Sequence, residues 1–436
     1  MIATFKCENF LSVKEKQCLS FEASPDQTWE EYYCIPVRDN VKLLKIGIIY
    51  GNNASGKSNI ISALDFLRHL MLNVPKDRTE KIPVTPFLLD EKSKEEPTLF
   101  ELVFYINKEK YNLEIQFDQD RIYKETVKYF PGQLPAMLYE RTYNEQLDVS
   151  EIKFGAKCEL VKKEQKNIEG NTINNCSVIA AFGITNVQLS KLNLLYDYFI
   201  SIAPILFPKN DLTKFSLNNI KKDSQLKMFA LKFLKASDFN ISDLDIQKKE
   251  MNITPEMKKL IPNLPLSEKE KSEMLSSGKI SNDIFHFKHH TEQGDFSLPE
   301  NLESVGTLRY LGLTTLLYKL LRQSCILLVD EIESSIHYEL LSYFLKVFLV
   351  NGKKDSQLIM TTHDLNLLDE DFIRRDTVWF TEKDDAAATL LVRLSSLGLH
   401  KSLSPYNAYR QNKLTNLPFT DSIFLEDFQT DEGGVQ

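Results

Sequence analysis

Residues 45–72 place an apolar segment, a glycine-bounded turn and an amphipathic segment in direct succession. The first segment, KIGIIY, is almost wholly apolar, which is typical of a strand buried on both faces of a sheet. From Ser58 to Leu72 the apolar residues recur at helical spacing. The order of strand, tight turn and helix therefore predicts an α/β core around this segment.

The turn follows the pattern G-x-x-x-x-G-K-S and consists of Gly51, Asn52, Asn53, Ala54, Ser55, Gly56, Lys57 and Ser58. Glycines allow such a backbone to wrap with successive N–H groups directed at phosphate oxygens, and the following helix adds the positive end of its dipole. Lys57 can reach the β- and γ-phosphates of a nucleotide, and the Ser58 hydroxyl can ligate Mg²⁺. The pattern favours a phosphate-binding loop over a turn without a ligand, but it does not choose among kinases, GTPases and motor ATPases.

An apolar strand that ends in two acids occurs in the last third of the chain, at Cys325–Glu331. We expect Asp330 to lie at the carboxyl end of this strand, where sheets of this class bind ligands, and to hold Mg²⁺ directly or through water. Glu331 is then placed to polarise a water for attack on the γ-phosphate. A buried strand followed by solvated acids is the alternative, and that arrangement is common.

Two further segments carry residues suited to anion binding. Ser304 and Gly306 open a long apolar helix, where a hydroxyl, free N–H groups and the helix dipole can bind an anion. His363 follows a predicted strand, 357–361, and can donate to a γ-phosphate or hold the attacking water. An ordinary N-cap serine and a histidine that satisfies local backbone groups are the alternatives.

In this order the segments resemble the motifs of the ABC-type ATPases, the group that includes the SMC, RecF, OLD and transporter ATPases. The resemblance identifies residues 51–58 as the Walker A loop, Ser304, Gly306 and Arg309 as the signature, Asp330 and Glu331 as the Walker B pair, Ser334–His337 as the D-loop and His363 as the switch histidine. It implies ATP and Mg²⁺ as cofactors, and hydrolysis with Glu331 and His363 in catalytic roles. It also implies that the signature of one subunit completes the ATP site of another, so that ATP favours a dimer or higher homo-oligomer and hydrolysis releases it.

Three features that the sequence lacks restrict which branch of the ABC-type ATPases it can resemble. Sustained heptads, a tail long enough for a fused TOPRIM nuclease and an apolar run able to span a membrane are all missing. The remaining resemblance is to the compact AAA15/AAA21-type ATP-binding proteins, of the RloA-like, AbiLi-like and PARIS-type kinds. Beyond the ATPase motifs it rests on Glu8–Ser12, Pro83–Leu89, Arg374–Lys383 and Tyr406–Pro418. Many such relatives act in bacterial anti-phage defence, and the resemblance implies a separate effector partner such as a TOPRIM/RloB-type nuclease.

Two other functions stay open from the sequence. A RecF- or SMC-like repair ATPase would clamp DNA, which makes DNA a possible ligand, whereas a nucleotide-dependent scaffold would show little turnover. The net charge of −8 excludes a basic field over the whole surface but not a local basic face. A GTPase is disfavoured because no Asn-Lys-x-Asp motif occurs, and a small-molecule kinase would have no use for the signature and the histidine.

We expect an α/β fold: an ABC-type P-loop ATPase head with a mixed sheet core and an antiparallel β subdomain, plus a mainly helical insertion. The expected domains are an N-terminal ATPase lobe at 1–160, the helical insertion at 161–284, a C-terminal ATPase lobe at 285–418 and an acidic tail at 419–436. A period of two from Phe100 to Phe154 predicts an antiparallel meander with a turn at Lys108–Lys110. The six scattered cysteines and the lack of a secretion signal or membrane span favour a cytoplasmic protein.

Overall fold

The computed structural model describes residues 1–38, 40–156, 158, 160–208, 212–263, 268–352, 355–400, 403–411 and 414. The predicted acidic tail lies outside the described residues, as does the end of the Tyr406–Pro418 segment. The strands are β1 Ile2–Glu8, β2 Gln17–Ser20, β3 Cys34–Pro36, β4 Lys42–Leu44, β5 Ile46–Gly51, β6 Thr98–Ile106, β7 Glu109–Phe117, β8 Ile122–Phe130, β9 Ala136–Asn144, β10 Val149–Phe154, β11 Ile241–Asn252, β12 Lys279–Thr291, β13 Gly294–Pro299, β14 Ile326–Val329, β15 Gln357–Thr361, β16 Val378–Lys383 and β17 Thr389–Arg393. The α-helices are α1 Glu30–Tyr33, α2 Lys57–Leu72, α3 Glu91–Glu95, α4 Lys162–Asn171, α5 Val178–Gly183, α6 Ser190–Ser201, α7 Leu212–Ile220, α8 Ser224–Ala236, α9 Pro255–Leu260, α10 Glu268–Ser277, α11 Val305–Arg322, α12 Tyr338–Asn351 and α13 Pro405–Arg410.

The chain divides into two compact units that do not coincide with continuous stretches of sequence. The first unit comprises Met1, Glu31–Tyr33 and Ser201–Leu358. The second comprises Ile2–Glu30, Cys34–Ile200 and the residues from Ile359 onward. The domain boundaries expected from the sequence stay a prediction, although the one between 284 and 285 falls inside β12.

An antiparallel sheet in the second unit has the strand order β10-β9-β8-β7-β6-β1-β2. The meander predicted from the period of two is therefore confirmed. The turn between β6 and β7 lies at Asn107 and Lys108, not at Lys108–Lys110. Both turn residues have positive φ, 50° and 66°, as a two-residue hairpin turn requires in order to match the twist of its strands.

A second sheet in this unit carries the phosphate-loop segment. Its strands are the end of β15, then β5, β16 and β17. β5 and β16 run parallel, with Thr381 opposite Gly51, whereas β17 is antiparallel to β16. All six residues of β5 are buried, which confirms the predicted strand covered on both faces. The predicted α/β class with a mixed sheet is thus confirmed, as is the antiparallel sheet beside it.

Helix α2 is held by aromatic packing. The ring of Phe66 lies 5.4 Å from Phe10 and 6.3 Å from Phe100, and it stacks on Phe117 at 5.7 Å. Because Phe100 and Phe117 belong to β6 and β7, these contacts join the helix to the antiparallel sheet. This packing fixes the position of α2, and with it the helix N-terminus at which the phosphate loop ends.

The first unit contains β14, the strand that precedes the two predicted acids. It is extended sideways by residues 202–206, which run parallel to it. The N–H of Leu206 donates to the Leu328 carbonyl at 2.9 Å, and the N–H of Asp330 donates to the Leu206 carbonyl at 2.8 Å. This pairing is not indicated by the sequence, because a proline such as Pro204 argues against a paired strand.

Part of the expected helical insertion is a strand. β11 pairs along its length with β12, and β12 pairs with β13, in an antiparallel sheet of the first unit. Ile241 and Leu244 are buried, and the register of β11 against β12 shifts between Ile241 and Asp243. The stretch expected to be mainly helical therefore also contains β11 and the start of β12, alongside helices α4 to α10.

A charged pair is completely buried in the meander. The guanidinium of Arg141 lies 3.7 Å from the Glu125 carboxylate, and neither side chain is exposed. Tyr139 donates to Glu125 at 2.7 Å, and Arg141 donates to the carbonyls of Cys176 at 3.0 Å and Asn174 at 2.8 Å. Burial raises the pKa of Glu125 and lowers the pKa of Arg141, so desolvation opposes both charges while their mutual attraction supports them.

Replacing Arg141 with Met should lower the free energy of unfolding by about 3–5 kcal/mol, because Glu125 would remain buried without its counter-charge. Urea titration of the variant measures the change. Lys128→Met is the control, since Lys128 is exposed on the same strand as Glu125, and it should stay within about 0.5 kcal/mol of the wild type. An Arg141→Met protein as stable as the wild type would mean that Glu125 is neutral in the folded state.

Candidate nucleotide-binding site

The lysine of the predicted phosphate loop folds back and contacts the start of the loop. Lys57 is buried at the start of α2, and its ammonium donates to the carbonyls of Gly51 at 2.9 Å and Asn52 at 3.1 Å. Gly56 at the N-cap has a φ of 102° and Ala54 a φ of 63°, both in the left-handed region. Left-handed residues that alternate with ordinary ones turn neighbouring N–H groups toward one concave side, which is the shape that binds a phosphate.

Threonines from two distant strands close the outside of the loop. Thr381 of β16 shares a hydrogen bond with the Ser55 hydroxyl at 2.6 Å, and Thr389 of β17 donates to the Ser55 carbonyl at 2.8 Å. A Cβ at Gly51 would collide with the Thr381 hydroxyl, and one at Gly56 with the Thr389 hydroxyl. The two glycines are therefore required by packing as well as by backbone conformation. Sequence reasoning missed both threonines, because nothing local marks them as neighbours of the loop.

A cavity of about 220 Å³ lies beside the first half of the loop. It is lined by Tyr50, Gly51, Asn52, Asn53, Thr362, His363, Leu365 and Tyr409. The N–H of Thr362 donates to the Ile49 carbonyl at 3.1 Å, which fixes the chain just before His363 at the end of β5. The structure thus brings the predicted switch histidine together with Gly51, Asn52 and Asn53.

Ser58 lies in the first turn of α2 and is partly exposed. The second unit therefore presents a loop with two packed glycines, a buried lysine and a serine hydroxyl at the N-terminus of a helix of 16 residues. These groups fit a nucleoside triphosphate with Mg²⁺. Backbone N–H groups and an ammonium suit the phosphates, and a hydroxyl oxygen suits the metal.

The predicted signature lies in the first unit at the start of α11. Ser304 is the N-cap of this helix, and its hydroxyl accepts a hydrogen bond from the Thr307 N–H at 3.0 Å. A Cβ at Gly306 would approach the Ser335 carbonyl at 3.0 Å, so the predicted D-loop lies against the signature glycine. The N-cap alternative for Ser304 is thus correct as local structure, and its anion-binding role stays a prediction.

Arg309 is the most unusual residue of this region. It is 7% exposed, and among the described residues none of its three guanidinium nitrogens makes a hydrogen bond. Burial lowers the pKa of Arg309, and the negative charge of Glu333 acts in the opposite direction. A buried guanidinium without hydrogen bonds is costly, and the negative charge of Glu333 offsets part of that cost.

The predicted Walker B pair follows β14 in the same unit. Asp330 is buried, and Glu331 has a φ of 46°, an unusual conformation for glutamate. The Ser334 N–H donates to the Glu331 carbonyl at 3.0 Å, which closes a tight turn into the predicted D-loop, where Ser335 has a φ of 59°. Strained residues of this kind concentrate at functional sites, although strain alone does not assign a function.

The sequence profile of one family matches residues 47–174 and 188–369, which together make up more than half of the chain. Its description is "AAA domain, putative AbiEii toxin, Type IV TA system". The chain belongs to this family. Membership of the AAA21-type ATP-binding proteins, as predicted from the motifs, is confirmed by this match.

Two solved structures to which the chain is similar are described as SMC heads. The "SMC head domain from Thermotoga maritima" has a TM-score of 0.40 and 12% identity, with 90% of this chain and 98% of that chain covered. The "SmcHead bound to the C-winged helix domain of ScpA" has a TM-score of 0.40 and 13% identity, with 94% and 99% covered. No curated protein matches the chain significantly. Among the described helices, none has both the length and the apolar character needed to cross a bilayer.

Replacing Gly56 with Ala should lower the free energy of unfolding by about 1–3 kcal/mol, because the left-handed backbone and the Thr389 hydroxyl leave no room for a methyl group. Thermal unfolding of the purified protein measures this change. Gly132→Ala is the matched control, since a Cβ there would meet no heavy atom within 4 Å. If both variants unfold at the wild-type temperature, the packing of the loop against β17 is wrong.

Proposed function

We propose that the protein is an ABC-type ATPase that binds and hydrolyses ATP, associates with copies of itself through the nucleotide and regulates a separate effector, a nuclease, in bacterial anti-phage defence. The observation that carries the proposal is the packed phosphate loop and its cavity shared with His363. Family membership supports the ATP-binding half. The remaining steps follow from the chemistry of the residues.

Binding of the phosphates is assigned to the second unit. The loop from Gly51 to Ser58 supplies backbone N–H groups to the phosphates, and Lys57 exchanges its contacts with the loop carbonyls for contacts with β- and γ-phosphate oxygens. Ser58 and Asp330 are the proposed oxygen ligands of Mg²⁺, which neutralises phosphate charge when it is bound. Each of these roles needs a hard oxygen or a cation, which the residues supply.

Hydrolysis is assigned to Glu331 and His363. Glu331 accepts a proton from the attacking water, and its position directly after the proposed metal ligand suits a base for in-line attack. His363 holds that water or donates to the γ-phosphate. Its place in the cavity beside Asn52 and Asn53 supports a contact near the end of the triphosphate.

Self-association is assigned to Ser304, Gly306 and Arg309, acting on the nucleotide held by a second copy of the chain. The Arg309 guanidinium lacks hydrogen bonds among the described residues and is covered by them. An anion offered by a partner reaches it once the covering residues move, and the contact would then remove a cost present in the single chain. The γ-phosphate provides this negative charge before hydrolysis, and the charge is lost when the cleaved phosphate leaves. Association therefore follows the nucleotide state.

The effector and the defence role rest on the family. The family description, "AAA domain, putative AbiEii toxin, Type IV TA system", supports a role in a conflict system of bacteria. An ATPase whose association depends on nucleotide can hold or release another protein as it cycles. A nuclease of the TOPRIM/RloB class is the partner we propose.

Glu331→Gln should slow ATP hydrolysis at least about 100-fold, because the amide cannot accept the proton, while ATP binding persists and the associated form accumulates. Phosphate release and sedimentation in the presence of ATP measure the two effects. Glu339→Gln is the control, since Glu339 is exposed in the first turn of α12.

The same pair of variants tests the biological role in cells that carry the gene with its flanking genes. Protection against phage should be altered by Glu331→Gln and retained with Glu339→Gln. If the wild-type protein binds ATP without hydrolysing it, and the Glu331→Gln variant behaves like the wild type in every assay, the protein is instead a scaffold.

Arg309→Met should leave the free energy of unfolding unchanged or raise it by about 1–4 kcal/mol, because it removes a buried charge that lacks hydrogen bonds. In contrast, ATP-dependent association should weaken at least about tenfold, which corresponds to one lost charge-assisted contact. Urea titration and sedimentation measure the two effects, and Arg322→Met, exposed on the same helix, is the control. A marked loss of stability in Arg309→Met would assign Arg309 to the fold instead.

A further inference from the structure

Helix α13 contributes a residue to the phosphate-loop cavity. Tyr409 of this helix is 4% exposed, and its ring stacks on Phe380 of β16 with 5.6 Å between centroids. Its hydroxyl donates to the side-chain Oδ1 of Asn52 at 3.2 Å. Tyr409 and His363 line the same cavity. None of the roles proposed above uses this helix.

The contact with Tyr409 orients the Asn52 amide. With Oδ1 accepting the tyrosine hydroxyl, the amide nitrogen is directed away from Tyr409, and this nitrogen is the part of the side chain that can donate to an anion. Asn52 is the second residue of the loop and borders the cavity that His363 also borders. An amide donor held at this position suits a terminal phosphate, which carries most of the charge that distinguishes ATP from ADP.

The segment around α13 is attached to the chain that follows the switch histidine. The Ser404 hydroxyl donates to the Asp369 carboxylate at 2.7 Å, and Arg375 donates to the carbonyls of Leu399 at 3.0 Å and Leu403 at 2.7 Å. Asp369 and Arg375 follow His363 closely in sequence. A shift of the switch segment therefore acts on α13 through three hydrogen bonds, in addition to the contact through Asn52.

We infer that α13 reads the γ-phosphate: Tyr409 positions Asn52 to donate to it, and the helix thereby takes a different state with ATP than with ADP. This inference rests on the proposed function, because it needs ATP in the cavity. It assigns Tyr409 a positioning role and makes the C-terminal part of the described chain an output of the nucleotide site.

The test compares Tyr409→Phe with Tyr406→Phe. Phenylalanine at 409 keeps the ring stacked on Phe380 and removes only the hydroxyl, so the fold should persist. Tyr406 lies on the same helix, and the Arg410 guanidinium donates to its hydroxyl at 3.4 Å. Its variant therefore controls for loss of a tyrosine hydroxyl on α13 outside the cavity.

Affinities for a non-hydrolysable ATP analogue and for ADP are measured by calorimetry. We expect Tyr409→Phe to reduce the preference for the ATP analogue over ADP about three- to tenfold, the value of one hydrogen bond, with little change in ADP affinity. Tyr406→Phe should match the wild type. A Tyr409→Phe protein that keeps the full preference overturns the inference and leaves the proposed function intact.

Hydrogen exchange supplies a second readout. In the wild type, residues 403–411 should exchange more slowly with the ATP analogue than with ADP, and Tyr409→Phe should abolish this difference. Equal exchange with both nucleotides in a wild type that binds them would overturn the inference alone. A wild type that binds neither nucleotide would overturn the proposed function, and the inference with it.

Discussion

The contact on which the candidate site depends is the seating of the phosphate loop against the hydroxyls of Thr381 and Thr389. These groups bond the Ser55 hydroxyl and carbonyl and occupy the space where Gly51 and Gly56 would otherwise carry side chains. The loop is therefore shaped from outside by β16 and β17, and not only by its own glycines. A loop held in this way exists before any nucleotide arrives, which reduces the entropy cost of binding.

Local pattern was sufficient for the elements that form the loop. The apolar run of β5, the period of α2 and the alternation of the meander each follow from residues next to one another, and the structure confirms them. The threonine contacts and the approach of Tyr409 to Asn52 join residues more than 300 positions apart. Periodicity within a short window carries no information about such pairs.

Other features could not be predicted for a different reason. β11 lies in a lysine-rich stretch expected to be mainly helical, yet it pairs along its length with β12, a strand roughly 40 residues later in the chain. At Ser304 the two interpretations were never exclusive, since an N-cap hydroxyl bonds one N–H and leaves the helix dipole in place. The unusual state of Arg309 could not be predicted, because burial without hydrogen bonds is a property of the packed structure.

The pairing of Leu206 with β14 limits how the protein can be shortened. Residues 202–206 fall in the stretch expected to be an insertion, yet they supply backbone partners to the strand that leads into Asp330. Excising residues 161–284 to obtain a minimal ATPase would expose the side of β14 and release the Asp330 N–H. Natural variation in the length of this stretch should therefore be confined to either side of residues 202–206.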